Sequence, residues 1–164
     1  MRNVNTAPTT SELLATSDAF FTALANNTAS VALLSYFSST HLVSIQHAPA
    51  KCPHPQTSRL TGSNAIRSYF DLLATHWVRL GMTRHSQRAD AEARRVIVSA
   101  SVIWKWKRSG RKWTEDFTCT LEFDESLKIV NLVIKTEGAP STCVMRAVDV
   151  DPEPVEGLTT QISM

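Results

Sequence analysis

The side chains best suited to move a proton near neutral pH are five histidines, His41, His47, His54, His76 and His85. His47 ends a β-branched run, Leu42 to His47, and His85 falls inside an alternating stretch that starts at Thr83. Both positions can reach one end of a sheet, so both are candidate acid–base residues. His54 lies among prolines, and His76 near a helix end, where a cation is favoured. A proton shuttle needs a partner acid in a low-dielectric site. Glu115 shares strand parity with Trp113, Phe117 and Cys119, where a carboxylate is costly unless it is paired or reaches solvent at the strand's end. Asp18 aligns with Leu14 and Phe21 at helical spacing, as a cavity acid or a charge at the border of the apolar stripe. Asn131, between Val130 and Leu132, can offer an amide to a ligand oxygen. Tyr69, Phe70, Trp77 and Trp104 can line a site for a flat apolar ligand, or simply fill the core.

Other chemistries find less support. His41-x5-His47 and Cys52-Pro53-His54 lack zinc-ligand spacing, and no nucleophile elbow, phosphate loop or dinucleotide fingerprint occurs, so neither metal nor cofactor is expected. Three widely spaced cysteines argue against a disulfide framework, and Cys119 in mid-strand reads as an inert thiol. A net charge of +2 disfavours nucleic acid or membrane as the partner. Lys105 to Trp113 does gather five cations and two tryptophans around one turn. That pattern suits a polyanion, or a hairpin tip whose lysines blunt the sheet edge, and the low net charge favours the tip. Met1 to Ser11 has no apolar run resembling a secretory signal, and no apolar cluster is long enough to span a bilayer, which predicts a cytoplasmic protein.

These residues need elements to position them. A chain of 164 residues, 43% hydrophobic, suits one domain. The pattern divides it into a flexible arm (1–10), a folded domain (11–148) and a loose acidic tail (149–164). Thr9 and Glu12 have capping-box spacing, which predicts a helix to about Asn26, and Thr28 can cap a second over Ala29 to Phe37. A strand follows at Leu42 to His47, then a proline-rich loop to Leu60. Ile66, Tyr69, Phe70, Leu73 and Trp77 share one face of a long helix opened by Gly62. From Thr83 the period is two: strands over Thr83 to Ala89, Arg95 to Lys107, Trp113 to Phe123 and Lys128 to Thr136, with an edge segment at Val144 to Val148. Early helices followed by a meander predict an α+β fold with helices on one sheet face.

This order resembles the nuclear-transport-factor-2-like superfamily, and within it the SnoaL-like polyketide cyclase and ketosteroid-isomerase-like group. The matching stretches are the opening hairpin, Phe20-Phe21-Thr22-Ala23-Leu24 through Tyr36, the strand Leu42 to His47, and Leu60-Thr61-Gly62-Ser63-Asn64-Ala65-Ile66 through Leu73. The resemblance covers about Ser11 to Thr136. It implies a cone-shaped α+β barrel, a curved antiparallel sheet around the long helix with a cavity at its open end. It also implies an isomerase, cyclase or dehydratase (lyase) of secondary metabolism, using cofactor-independent acid–base chemistry on an apolar polyketide- or terpenoid-like molecule. A non-catalytic ligand-binding or protein-interaction module is the alternative. His47 or His85 would carry the proton, Asp18 or Glu115 orient it, and Asn131 polarise a carbonyl. Family members commonly dimerise through the outer sheet face, and the two-sided apolar pattern of Ile97 to Ile103 agrees with a covered face or with burial under the tail.

Overall fold

The computed structural model describes residues 7–51 and 59–150. The expected arm up to residue 6, most of the proline loop with Cys52 and His54, and the tail beyond residue 150 lie outside them. Helix α1 (Thr10–Ala25) starts at a complete capping box: the Glu12 amide donates to Thr9 Oγ1 (3.1 Å), and the Thr9 amide donates to Glu12 Oε1 (3.0 Å). Two orphan donors of the first turn are thereby satisfied. Helix α2 is shorter than expected, Ser30–Leu34, and its N-cap is Ala29 without a side-chain cap rather than Thr28.

Strand β1 (Ser44–Pro49) leads, past the undescribed loop, to a short strand β2 (Arg59–Thr61). Helix α3 (Ser63–His76) opens at Gly62, whose φ of +97° is strained for any residue with a Cβ. The helix buries Ile66, Tyr69, Phe70 and Leu73 and stops one residue before Trp77. Trp77 begins β3 (Trp77–Asp90) instead, with no loop between helix and strand. Its indole lies 4.8 Å from that of Trp106, its cross-strand partner, and such aromatic pairing outweighs the small gain of another helical residue.

β4 (Arg95–Trp106), β5 (Lys112–Phe123) and β6 (Ile129–Thr136) complete a curved six-stranded sheet of order β2-β1-β6-β5-β4-β3. β1 runs parallel to β6, so the sheet is mixed rather than wholly antiparallel. Three register slips bend it: Leu80 and His85 are extra residues in β3, and Val130 is extra in β6. Leu13, Phe20 and Phe21 of α1 and Ile66, Phe70 and Leu73 of α3 fill the concave side, against Val96, Val98, Ala100 and Val102 of β4. Val144 to Arg146 forms a 3-10 turn and not the expected edge strand. The segment after β6, as far as residue 150, folds back over the end of β5: Trp113 Nε1 donates to the Thr142 carbonyl (2.8 Å), and Asp149 accepts from Arg111 (2.7 Å) and Ser109 (2.6 Å). Among the described residues, no helix is long and apolar enough to cross a membrane.

Candidate active site

Alternation in three strands aims a polar group at the same point inside the cone. In β1 the inward set includes Ile45 and His47, in β5 it is Glu115, Phe117 and Cys119, and in β6 it is Leu132, Ile134 and Thr136. From the helix side α3 brings Tyr69. Glu115 is completely buried (0% exposed), yet its carboxylate is fully engaged. Oε2 accepts from His47 Nε2 (2.8 Å) and Thr136 Oγ1 (2.6 Å), and Oε1 accepts from Trp104 Nε1 (2.9 Å). The other ring nitrogen of His47, Nδ1, lies 2.6 Å from the Tyr69 hydroxyl. The result is a continuous chain, Glu115–His47–Tyr69, built on β5, β1 and α3.

Burial disfavours the carboxylate of Glu115, but hydrogen bonds from His47, Thr136 and Trp104 outweigh that cost and hold its pKa below the usual range. Burial equally opposes the imidazolium of His47. The Tyr69 oxygen, the Cys143 sulfur and the Glu115 carboxylate around it more than compensate, leaving its pKa well above the ordinary histidine value. Both shifts favour the charged forms, which gives the His47–Glu115 contact the character of an ion pair. With Nε2–H donating to Glu115 and Nδ1–H donating to the Tyr69 oxygen, the phenol O–H is the proton left free to meet a ligand. Burial also raises the Tyr69 pKa, which keeps that proton in place.

The chain borders a small cavity of about 30 Å³, walled by Phe20, Phe21 and Leu24 of α1 and by inward residues of the sheet. That volume holds about two waters. Arg79 and Met82 of β3 are the only two of its lining residues that reach solvent, so the mouth lies between them and α1. Arg79 stacks over Trp104, its Cζ 4.8 Å from the ring centroid.

The structure brings together His47, Glu115, Tyr69 and Trp104 of the residues expected from sequence. Glu115 does not reach solvent at the strand's end, because the folded-back segment with Cys143 and Val144 covers it. His85 is corrected outward: as the extra residue of a bulge it hydrogen-bonds Ser101 Oγ (2.7 Å) on the exposed sheet face. Asn131 is corrected in the same way. The slip at Val130 turns it to the outer face, where it accepts from Ser44 (2.8 Å) and donates to Glu122 (2.8 Å). Asp18 is half exposed and ion-paired with Arg84, away from the cavity. Phe70 packs edge-on against Phe37, and Trp77 joins Trp104, Trp106 and Trp113 in one cluster, so neither lines this cavity. The same cluster occupies the two tryptophans of the basic hairpin, and Arg111 there is tied to Asp149.

Arg79, Cys143 and the Glu115 donor Thr136, read only as a strand end, escape the sequence reading as site residues. Arg79 falls between the expected helix end and the expected strand start. Cys143, fully buried, sits in a segment without periodicity. Possible ligand atoms of His47, Glu115 and Cys143 lie within 4.8 Å of one another, close enough for a metal. A metal there would have to displace bonds to Glu115 and His47 that already satisfy both groups, so the donor set fits an ion poorly.

No family model and no curated protein matches the chain by sequence. By structure it is similar to the epoxide hydrolase/cyclase-like enzyme SalBIII, described for its role in pyran ring formation in the polyether salinomycin. The TM-score is 0.64 at 12% identity, covering 79% of this chain and 94% of that one. It is also similar to a candidate isomerase from Bacillus subtilis, with a TM-score of 0.65 at 13% identity over 89% of this chain and 98% of that one. At such identities the likeness is one of fold, and the chain has the nuclear-transport-factor-2-like fold.

Proposed function

We propose that this protein is a cofactor-independent enzyme of the SnoaL-like type, an isomerase, cyclase or dehydratase, that activates an oxygen atom of a small, largely apolar molecule. A polyketide- or terpenoid-like substrate fits the aromatic walls and the likeness to SalBIII. The observation that carries the reading is the buried Glu115–His47–Tyr69 chain ending at a cavity. In this scheme Tyr69 donates its proton to a carbonyl, hydroxyl or epoxide oxygen. His47 resupplies Tyr69 through Nδ1–H, and Glu115 balances the imidazolium that precedes the transfer. A proton later lost from carbon returns along the same path. Such positioned acid–base groups contribute about 10²–10⁴ in rate. Homodimerisation through the outer sheet face belongs to the same proposal, and light scattering in solution checks it.

The test is conversion of a β,γ-unsaturated cyclic ketone to its conjugated isomer, followed by enone absorption, in the wild type and in Tyr69→Phe and His47→Gln. Activity that falls by that factor in both variants supports the reading, and activity indifferent to both refutes it. The second reading is a non-catalytic ligand binder. Under it, ligands bind and nothing turns over in any variant.

A further inference from the structure

The cavity's charges do not balance. His47 and Glu115 cancel as an ion pair, sharing a contact of 2.8 Å. Arg79 adds one more positive charge at the mouth. Among the described residues, its guanidinium makes no hydrogen bond or ion-pair contact; it stacks over Trp104 and feels Glu115 and Tyr69 only through longer-range attraction. Its backbone, in contrast, is fixed at both ends: the Arg79 amide donates to Asn27 Oδ1 (2.9 Å), and Asn27 Nδ2 donates to the Arg79 carbonyl (2.9 Å). The register then holds Arg79 on the concave face opposite Trp104, and the extra residue Leu80 restores the inward direction at Met82. A cation held over an apolar cavity with its donors unused is a recognition element for an anion.

From this we infer that the ligand carries a carboxylate, bound by the Arg79 guanidinium at the mouth, with its apolar body directed inward to the Tyr69 hydroxyl. A carboxylate suits the planar fork of arginine. A phosphate would need further donors, and outside the Glu115–His47–Tyr69 chain the wall is aromatic, aliphatic or sulfur-bearing. The inference rests on the reading of the cavity as a ligand site and narrows its substrate class to small unsaturated or oxygenated acids. Desolvation depresses the pKa of Arg79, and attraction to Tyr69 and Glu115 offsets only part of that. Met82, unbranched and beside Arg79, is the side chain that can swing to admit a molecule larger than the resting cavity.

Crotonate and crotonamide, alike in size and shape but differing in charge, test this by titration into isotope-labelled protein. The readout is the indole N–H of Trp104, identified by its loss in Trp104→Phe. The expected result is crotonate affinity at least about tenfold above that of crotonamide. Arg79→Gln should erase the difference without lowering Tm, while Arg79→Lys should keep part of it. Equal affinity for the two probes, a preference that survives Arg79→Gln, or no binding of the acid overturns the inference. This outcome separates from that of the proposed reaction. Acid-selective binding without turnover by any variant sinks catalysis and leaves the carboxylate site. Tyr69-dependent turnover of a neutral ketone without acid selectivity does the reverse.

Discussion

Replacing Glu115 by Gln tests the central claim, that His47 is held charged by a buried carboxylate. The substitution preserves shape but not hydrogen-bonding capacity. Glu115 accepts three hydrogen bonds, one at Oε1 and two at Oε2. Glutamine can keep its oxygen toward Trp104 Nε1 only by turning its NH2 toward His47 Nε2 and Thr136 Oγ1. That arrangement requires His47 to be neutral, with Nδ1–H donating to Tyr69. The variant therefore exchanges an ion pair for neutral hydrogen bonds, and the His47 pKa should fall below the ordinary value where it now lies well above. Breaking a buried charge pair costs about 3–5 kcal/mol, which for a chain of this size lowers Tm by about 6–20 °C. The loss depends on pH. His47, with a raised folded pKa, stabilises fully below about 6.5, its unfolded value, and loses that contribution as pH rises through the folded one. Glu115, with a depressed folded pKa, stabilises fully above about 4.3 and loses that contribution as pH falls through its folded value. Tm of the wild type minus that of Glu115→Gln should thus peak between about pH 4.3 and 6.5 and shrink on both sides. The titratable groups acting on His47 from neighbouring elements are Tyr69, Glu115 and Cys143, and Arg79 lines the same cavity. A His47 ring resonance that titrates identically in the two proteins, or a flat difference in Tm, refutes the ion pair.

Other substitutions probe the supports of the site. Thr136→Val removes one of the three donors to Glu115 and should cost about 1–3 kcal/mol in urea unfolding, whereas Thr136→Ser should restore most of it. Gly62→Ala places a Cβ at φ +97° with no neighbour within 4 Å, so backbone strain alone should cost about 1–3 kcal/mol; an unchanged midpoint contradicts that conformation. Asp149→Ala removes the acceptor for Ser109 and Arg111 that ties down the segment after β6. Amide exchange at Arg146 and Ala147, which close the 3-10 turn, should then accelerate while exchange in β4 stays unchanged.

Periodicity made most of this fold legible. The face formed by Ile66, Tyr69, Phe70 and Leu73 and the capping box at Thr9 and Glu12 depend on contacts within a few residues, and both appear where the pattern puts them. Parity placed Glu115 inward for the same reason. The misplacements share one physical origin. A β-bulge adds a residue without changing local composition, so Thr83 to Ala89 reads as uninterrupted alternation although His85 breaks it, and Val130 likewise reverses Asn131. The end of α3 was illegible because Trp77 satisfies the helical face as well as the strand pairing. What decides between them is Trp106, a partner 29 residues away whose position depends on the finished sheet. Arg79 was lost with that boundary. The parallel pairing of β1 with β6 joins segments more than 80 residues apart, and no local signal announces it.

Nothing in the architecture demands a charge at the centre of this core. Replacing a buried ion pair by well-packed hydrophobic residues is often neutral or stabilising by about 1–4 kcal/mol. Positions 47 and 115 pair with Ile134 and Val102, so aliphatic side chains would suit both places. Instead this chain brings Trp104 and Thr136 to satisfy Glu115, sets Tyr69 against the free nitrogen of His47, and leaves a cavity where the phenol ends. A network satisfied at every internal atom and open at one hydroxyl differs from a structural salt bridge, which has no reason to stop at a void. Arg79, desolvated at the same void without a hydrogen-bonded or ion-pair partner among the described residues, adds a second cost that packing does not require. Both costs make physical sense when a ligand's oxygen completes them, and under the proposed function that oxygen meets Tyr69 after entering past Arg79.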